Sequence, residues 1–255
     1  MMNDYFDKSK LSVRKIPKPL AKNMIVKYHY SAQWTKCSVA LGLYRLTGEE
    51  HPFFDEPEEE MIGTICYGDP IGRLTGASIS DLIPRESVFE LVRLFVHDGY
   101  GKNIESWFIS KSFDWLKRNR KDITALISYS DPQQGHVGTI YQATNWFYQG
   151  NRIRPSDSWL FKWEEDGKWQ HPRTIFPYYG TNDIEKISTL VEKDFWIKKE
   201  LRKHRYVYLL GGKKQKRKIV KNLKHPILPY PKEADIEDVE IKKIKSLFNK
   251  NTIDN

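Results

Sequence analysis

The 255-residue chain carries 42 Lys and Arg against 33 Asp and Glu, a net charge of +9, with 39% hydrophobic and 29% charged residues. A chain of this length fits one large domain, or one with a substantial extension, better than two independent domains, and its basic excess suits a globular protein that meets a polyanion, nucleic acid being the leading candidate. No stretch approaches the roughly 20 apolar residues of a membrane span, the N-terminal MMNDYFDKSK lacks the apolar core of a signal peptide, and two cysteines, Cys37 and Cys66, form neither a disulfide framework nor a metal motif, which points to a reducing cytoplasm.

In chain order, Pro19 to Tyr28 reads as a short helix leading into Tyr28-His29-Tyr30-Ser31. Ser38 to Leu46 and Glu60 to Tyr67 read as two strands, separated by the acidic, proline-bearing loop GEEHPFFDEPEEE, a solvated connection. SVFELVRLFV holds a third strand, Val88 to Val96. Arg93 interrupts its apolar run, and a buried strand tolerates a guanidinium only when it is paired, so a structural salt bridge and an anion or cofactor contact stand as equal readings. The next stretch is HDGYGKN; after it Ile104, Trp107, Phe108, Trp115 and Leu116 recur at helical spacing as far as KRNRKD. Gly99 and Gly101 let the backbone curl with N–H groups pointing outward at a helix N-terminus, where the dipole adds positive potential. A pyrophosphate fits there, and so does a plain turn. Ser106, in the first helical turns, is either functional or bonded to its own backbone.

Ile123 to Tyr129 is the next strand, and SYSDPQQGHVGTIYQATNWFYQG runs from Ser128. Asp131 is a common turn residue, yet it stands at a strand's carboxyl end, where α/β sheets place their sites. His136, between Gly135 and Gly138, caps the following helix or touches a phosphate. Thr139 to Asn145 forms that helix and carries Tyr141, which is core packing or a working hydroxyl. Arg152 to Leu201 reads as a hairpin turning at EEDGK, then a helix opened by the Asn182/Glu185 capping pair. Arg202 to Lys224 contains ten Lys or Arg and no carboxylate, with Tyr206 and Tyr208 interleaved in a strand, RYVYLL, and a turn at GGKKQKRK. The run should track phosphates, through Arg202, Lys203, Arg205, Lys213, Lys214, Lys216, Arg217 and Lys218.

Val96-His-Asp-Gly99-Tyr-Gly101 and the later IYQATNWF resemble the GNAT acyltransferase superfamily, which implies a mixed α/β sheet flanked by helices and a loop that binds the pyrophosphate of acetyl-CoA or a related acyl-CoA. Val96 stands where that family has Gln or Arg. On this resemblance Gly99, Gly101, Lys102 and Asn103 bind the cofactor, and Tyr141 protonates the leaving thiolate. A closer resemblance covers most of the chain: YHYS, ELVRLFV, SYSDPQQGHVGTIYQATNWFYQG and RKHRYVY are similar, in order, to the phage Mom family of DNA adenine-modifying proteins. It implies conversion of adenine in double-stranded DNA to a carbamoylmethyl derivative at N6, protection from restriction enzymes, and action in the cytoplasm of the bacterial host. This closer resemblance adds Arg93 and Ser106 to the cofactor-binding set, and the catalytic candidates become Tyr141, Asp131, His29, Tyr30 and Tyr28.

Attack of N6 on a thioester carbonyl would attach the group through its carbonyl carbon, whereas the Mom product is attached through a methylene. Either the donor is not simply acetyl-CoA or its methyl carbon is activated, for which a redox metal such as iron, held by His29, Tyr30 and Asp131, is one agent. Because N6 lies inside the base pair, adenine should be flipped out onto an aromatic such as Trp34 or Trp146. The expected organisation is a catalytic domain over residues 1–210, elaborated at about 155–201, and a basic DNA-contacting extension over 211–255. One rival is a conventional GNAT N-acetyltransferase acting on a small amine, a protein or tRNA; the other is a catalytically inert DNA-binding module.

Overall fold

The computed structural model describes residues 6–50, 57–72, 74–132, 135–151, 158–200, 202–232 and 240–248. Along the chain come β1 (Leu11–Lys15), α1 (Lys18–Tyr28), β2 (Val39–Glu50), β3 (Pro57–Gly68), β4 (Val88–Val96), α2 (Ile104–Asn119), β5 (Ala125–Ser130), the single turn α3 (Thr139–Gln142) and the two-residue β6 (Phe147–Tyr148). There follow β7 (Trp159–Lys162), α4 (Pro172–Tyr179), α5 (Ile184–Leu190), β8 (Phe195–Lys199), β9 (His204–Leu209), α6 (Lys213–Val220) and β10 (Ile241–Ile244). The expected strand Val88 to Val96 and the helix over 104–119 are present, while residues 51–56 of the acidic loop lie outside the described residues. Among the described residues no helix is long and apolar enough to cross a membrane.

The chain divides into two compact units. The first comprises Met1–Ser130, Gly138–Gly150 and His204–Tyr230; the second comprises Asp131–Val137, Asn151–Lys203 and Pro231–Asn255. The first unit is a mixed sheet in the order β1-β2-β3-β4-β5-β9-β6. Within it β4 and β5 pair parallel, the connection being made by α2, and β9 runs antiparallel between β5 and β6.

β5 explains its own continuous apolar composition, because it is covered on both sides. Leu126 joins the core beneath α2 with Phe108, Phe113, Leu116 and Trp146, and Ala125 and Ile127 join a second core with Val207, Leu209 and Ile219 of α6. A strand buried on both faces has no solvated side on which to alternate. α2 turns Ile104, Phe108, Ile109, Ser112, Phe113 and Leu116 inward at helical spacing.

The second unit is a three-stranded antiparallel sheet, β10-β8-β7, with Phe161, Phe195 and Ile197 packed on Ile175 of α4 and Ile187 of α5. The turn expected at EEDGK is present: Gly167 N–H donates to the Glu164 carbonyl at 2.9 Å, and Phe161 bridges Gln170. The cap of α5 is one residue later than expected. Asp183, not Asn182, accepts from the Lys186 N–H at 2.9 Å.

Three further expectations are corrected. GGKKQKRK is not a turn: Gly212 caps α6, and the Lys, Gln and Arg that follow are good helix formers whose helix buries Ile219. Thr139 to Asn145 is a single helical turn, not a helix of seven residues. Trp146 is fully buried among Phe113, Tyr141 and Tyr208, at ring-centroid distances of 5.8, 5.2 and 5.7 Å, so it does not stack on an extruded base. Trp34 is only partly buried, against the small core of α1, β2 and β3. Trp146→Ala should therefore cost roughly 3–5 kcal/mol of folding stability, read as a lowered urea midpoint. A midpoint within error of wild type would contradict a structural role for this ring.

Candidate active site

The parallel ladder between β4 and β5 holds for three residue pairs, Val88↔Ala125, Phe89↔Leu126 and Glu90↔Ile127. Immediately beyond it, β4 carries an extra residue, Val92, where Cys66 pairs with Arg93 and Tyr67 with Leu91. A bulge of this kind bends its strand and disrupts the local ladder, and the two strands proceed without further pairing. A backbone carbonyl orphaned by the split needs a partner, and Ser128 supplies it: its Oγ donates to the Leu91 carbonyl at 3.0 Å.

Tyr141 closes on the same serine. Its hydroxyl lies 2.8 Å from Ser128 Oγ, and the ring leans on Trp146 and Tyr206 at centroid distances of 5.2 and 5.0 Å. α3 brings it there because Gly138 holds a left-handed φ of 79° and leaves no room for a side chain; a Cβ would stand 2.5 Å from the Tyr206 ring. Ser128 has one proton and two acceptors. On Leu91 it satisfies the split strand; turned to Tyr141 it would stabilise a phenolate. Burial, followed by the nearby Tyr30, Glu90 and Tyr206, outweighs that help and pushes the Tyr141 hydroxyl up to about 12. Tyr141 therefore keeps its proton at neutral pH.

Arg93 and Tyr30 belong to the same neighbourhood. The Arg93 guanidinium donates through Nε to the Gln33 carbonyl at 3.1 Å and through Nη1 to the Val92 carbonyl at 2.6 Å. Burial lowers its basicity, while Tyr30, Cys66 and Glu90 act in the opposite direction. Glu90 is 9% exposed and accepts the Ile71 N–H at 3.0 Å. Tyr30, Arg93 and Tyr141, all expected from the sequence, are thus gathered with two residues that were not, Glu90 and Ser128. A carboxylate inside the apolar run VFELV was a signal for the first. Ser128 stands two residues from Leu126 on one face of β5, but a strand serine carries no mark of its own.

His29 and Tyr28 have local duties. His29 ends α1, and its Nδ1 accepts the Ser31 N–H at 3.1 Å, which puts the proton of the neutral ring on Nε2. Its ring lies 4.2 Å from that of Tyr30. Tyr28 stacks on Phe95 at 5.8 Å and meets His97 edge-on at 4.6 Å, fixing the end of α1 on β4. Asp131 falls in the second unit, where it pairs with Lys203 at 3.8 Å and its carbonyl accepts the His136 N–H. Gln133 and Gln134 lie outside the described residues. Among the described residues no three His, Cys, Asp or Glu side chains converge to hold a metal ion.

The loop between β4 and α2 is shaped by three left-handed residues, Gly99 (φ 90°), Gly101 (φ 115°) and Asn103 (φ 66°). α2 begins its own ladder with Trp107 N–H to the Asn103 carbonyl, which leaves the amides of 104–106 pointing out of the helix end. Ser106 Oγ donates to the Asn103 carbonyl at 2.9 Å, the backbone-bonded alternative for this serine. A side chain at Gly101 would stand 3.1 Å from the Phe6 nitrogen. Lys102 is exposed beside it.

The basic run is divided by the fold. Arg202, Lys203, Lys213, Lys214, Arg217 and Lys218 are exposed. Lys216 lies over the Tyr208 ring at 5.0 Å. Arg205 must be withdrawn from the phosphate-contacting set: it is 1% exposed and its guanidinium donates to Gln149 Oε1 at 2.9 Å, Ser78 Oγ at 2.8 Å and the Ser78 carbonyl. β9 is buried on both sides, so a cation within it is a structural one.

The Tyr141 proton has a measurable consequence. Its folded pKa stands above the ordinary phenol value, so the native state binds the proton more tightly, and the associated stability is present below about pH 10 and lost as pH rises toward 12. Wild type should lose roughly 2–3 kcal/mol more than Tyr141→Phe between pH 10 and 12, measured as urea midpoints. Parallel losses in the two proteins would show that the hydroxyl is not buried as described.

The Mom protein family model matches residues 10–232. Methylcarbamoylase mom of Escherichia phage Mu is 24% identical over 233 residues, covering 89% of this chain and 86% of that protein. Among solved structures, spermidine/spermine N-acetyltransferase SpeG from Vibrio cholerae matches with a TM-score of 0.43 and 9% identity over 82% of this chain and 97% of its own. NAA60 of Arabidopsis thaliana in complex with a bisubstrate analogue matches with a TM-score of 0.41 and 11% identity over 78% and 97%. The match to the family model spans most of the length: the chain belongs to the Mom protein family.

Proposed function

We propose that this protein is a transferase that modifies adenine at N6 in double-stranded DNA, adding a carbamoylmethyl group with an acyl-CoA-type donor. The observation that carries the reading is a buried, protonated Tyr141 held at the point where two parallel strands part, the place where open α/β sheets take their ligands. The family membership supports it, and so does the similarity to a methylcarbamoylase. Bound to the chain, the donor would supply an activated two-carbon unit and a thiolate leaving group.

Each residue has a task on this reading. The amides at the start of α2, curled by Gly99 and Gly101, receive the pyrophosphate, with Lys102 adding charge. Tyr141 gives its proton to the leaving thiolate, and Ser128 then turns its own proton toward the phenolate. Arg93, held in place by two carbonyls, offers positive charge beside the reacting centre. The exposed face of α6 meets phosphates, and Arg202 and Lys203 of the second unit do so separately. Attack of N6 on the thioester carbonyl of an acetyl donor, with loss of the thiolate, would give only an acetyl group; the carbamoylmethyl product needs in addition an amine to supply the amide nitrogen and a two-electron oxidant acting at the methyl carbon, both as co-reactants besides the acyl-CoA.

Tyr141→Phe should fold and bind DNA but lose most of its activity, by about 100-fold or more if the hydroxyl is a general acid. Mass spectrometry of nucleosides from DNA of cells expressing wild type should reveal a carbamoylmethyl-adenosine. Acetyl-adenosine would favour plain acyl transfer; unmodified DNA with an acetylated amine elsewhere would favour the conventional acetyltransferase. Gly101→Val should crowd Phe6 and strain a φ of 115°. Acetyl-CoA and CoA should raise the melting temperature of wild type, and that of the variant less. Absence of any shift in wild type would remove the CoA assignment.

A further inference from the structure

The second unit presents a surface to which neither the family membership nor the candidate site gives a role. β7, β8 and β10 bury one face of their sheet on α4 and α5. Side chains alternate across a strand, so the opposite face carries the residues out of phase with Phe161, Phe195 and Ile197: the buried Leu160 together with Lys162 of β7, Trp196 and Lys198 of β8, and Ile241 and Lys243 of β10, with Lys162 paired to Trp196 and Lys243 paired to the same tryptophan. Trp169, one residue before the Phe161–Gln170 bridge, completes the set.

The lysines and tryptophans form one continuous ladder of cations and rings. The Lys198 ammonium lies 4.6 Å from the centre of Trp169, Lys162 lies 5.1 Å from Trp169 and 5.5 Å from Trp196, and Lys243 lies 5.2 Å from Trp196. The order is Lys198, Trp169, Lys162, Trp196, Lys243, across three strands. Among the described residues, carboxylates act on the ladder at its ends: Asp194 pairs with Lys243 at 3.4 Å, and Asp131 acts on Lys198. Lys162 at the centre also donates to the Glu165 carbonyl, a neutral acceptor. Burial lowers the basicity of Lys198, Asp131 acts against that, and the neighbouring Lys162 adds a smaller repulsion in the same direction as burial. Like charges held together on two indoles store a repulsion that an anion relieves, and the indoles fix the position of stems that would otherwise be mobile.

We propose that this ladder is a binding surface for the phosphate backbone of duplex DNA, distinct from the basic helix α6. It rests on the reading of the protein as a DNA-modifying enzyme and names a part of the molecule that grips the substrate. A duplex fits better than a single strand because the indole faces are already covered by ammonium groups. What the surface offers is point charges for phosphates, not open rings for stacking bases.

The test uses the full chain and a short DNA duplex. Lysine acetylation by an N-hydroxysuccinimide ester, mapped by mass spectrometry, should show Lys162, Lys198 and Lys243 protected at saturating duplex while exposed Lys193 reacts as before. Replacing Lys162, Lys198 and Lys243 together with Gln should flatten the dependence of log K on log salt by about 0.9 for every phosphate no longer neutralised, so by about 2.7 for three; the corresponding Arg triple should keep the slope. If wild type binds duplex but the three lysines stay reactive and the Gln triple keeps its slope, the surface assignment is overturned and the DNA reading stands. Failure of wild type to bind duplex at all overturns both. Tighter binding and equal protection by single-stranded DNA, or by polyglutamate, overturns the duplex assignment.

Discussion

Three residue pairs of parallel ladder, and then a parting, set the rest of the first unit. Had β4 and β5 stayed paired past Glu90 and Ile127, the Leu91 carbonyl would have been consumed by the ladder and Ser128 would have been one more core residue. The bulge at Val92 prevents this, and Ser128 then has to serve a carbonyl on one side and a phenol on the other. Tyr141 reaches that position because a glycine lets α3 lie against the Tyr206 ring.

The electrostatics of this region follow from its dryness. A phenol that is 7% exposed resists ionisation because its anion would lack water. A guanidinium in the same surroundings is tolerated because two carbonyls solvate it in place of water. The same rule reassigns Arg205, whose donors are taken up by Gln149 and Ser78. Net positive charge along a sequence is therefore a poor map of positive surface: the members of one basic run sit on a helix, on a ring and inside a core.

Local elements were legible where local physics determines them. Val88 to Val96 is bounded by turn residues and reads apolar apart from Glu90 and Arg93; α2 repeats its apolar residues at helical spacing; the EEDGK turn has its glycine in place. Arg93 could be singled out because a polar group in an apolar run needs a reason, Tyr30 because YHYS gathers titratable side chains at a helix end, and Tyr141 by its place in the segment that carries the family resemblance. What could not be read is non-local. The bulge at Val92 leaves no compositional trace, so the phase of β4 changes without warning. The placement of β9 beside β5 joins segments far apart in sequence, and with it the burial of Arg205 and Trp146 was hidden. GGKKQKRK reads as a turn; in the fold its glycines separate β9 from α6, which starts at Lys213. The second unit's sheet was half seen, as a hairpin, because its third strand, β10, returns from beyond α6.

The insertion of β9 also has a bearing on how the protein comes into being. β5 and β6 both depend on a strand made after residue 203, so until it emerges from the ribosome the nascent chain carries β5 as an open edge with half its hydrogen-bonding groups unmet. Closing that gap joins ends separated by the second unit's β7, α4, α5 and β8, a non-local step of the kind that slows folding and invites aggregation. A premature stop anywhere before residue 209 would remove an interior strand of the sheet instead of trimming an end. Such fragments would have a core that cannot close.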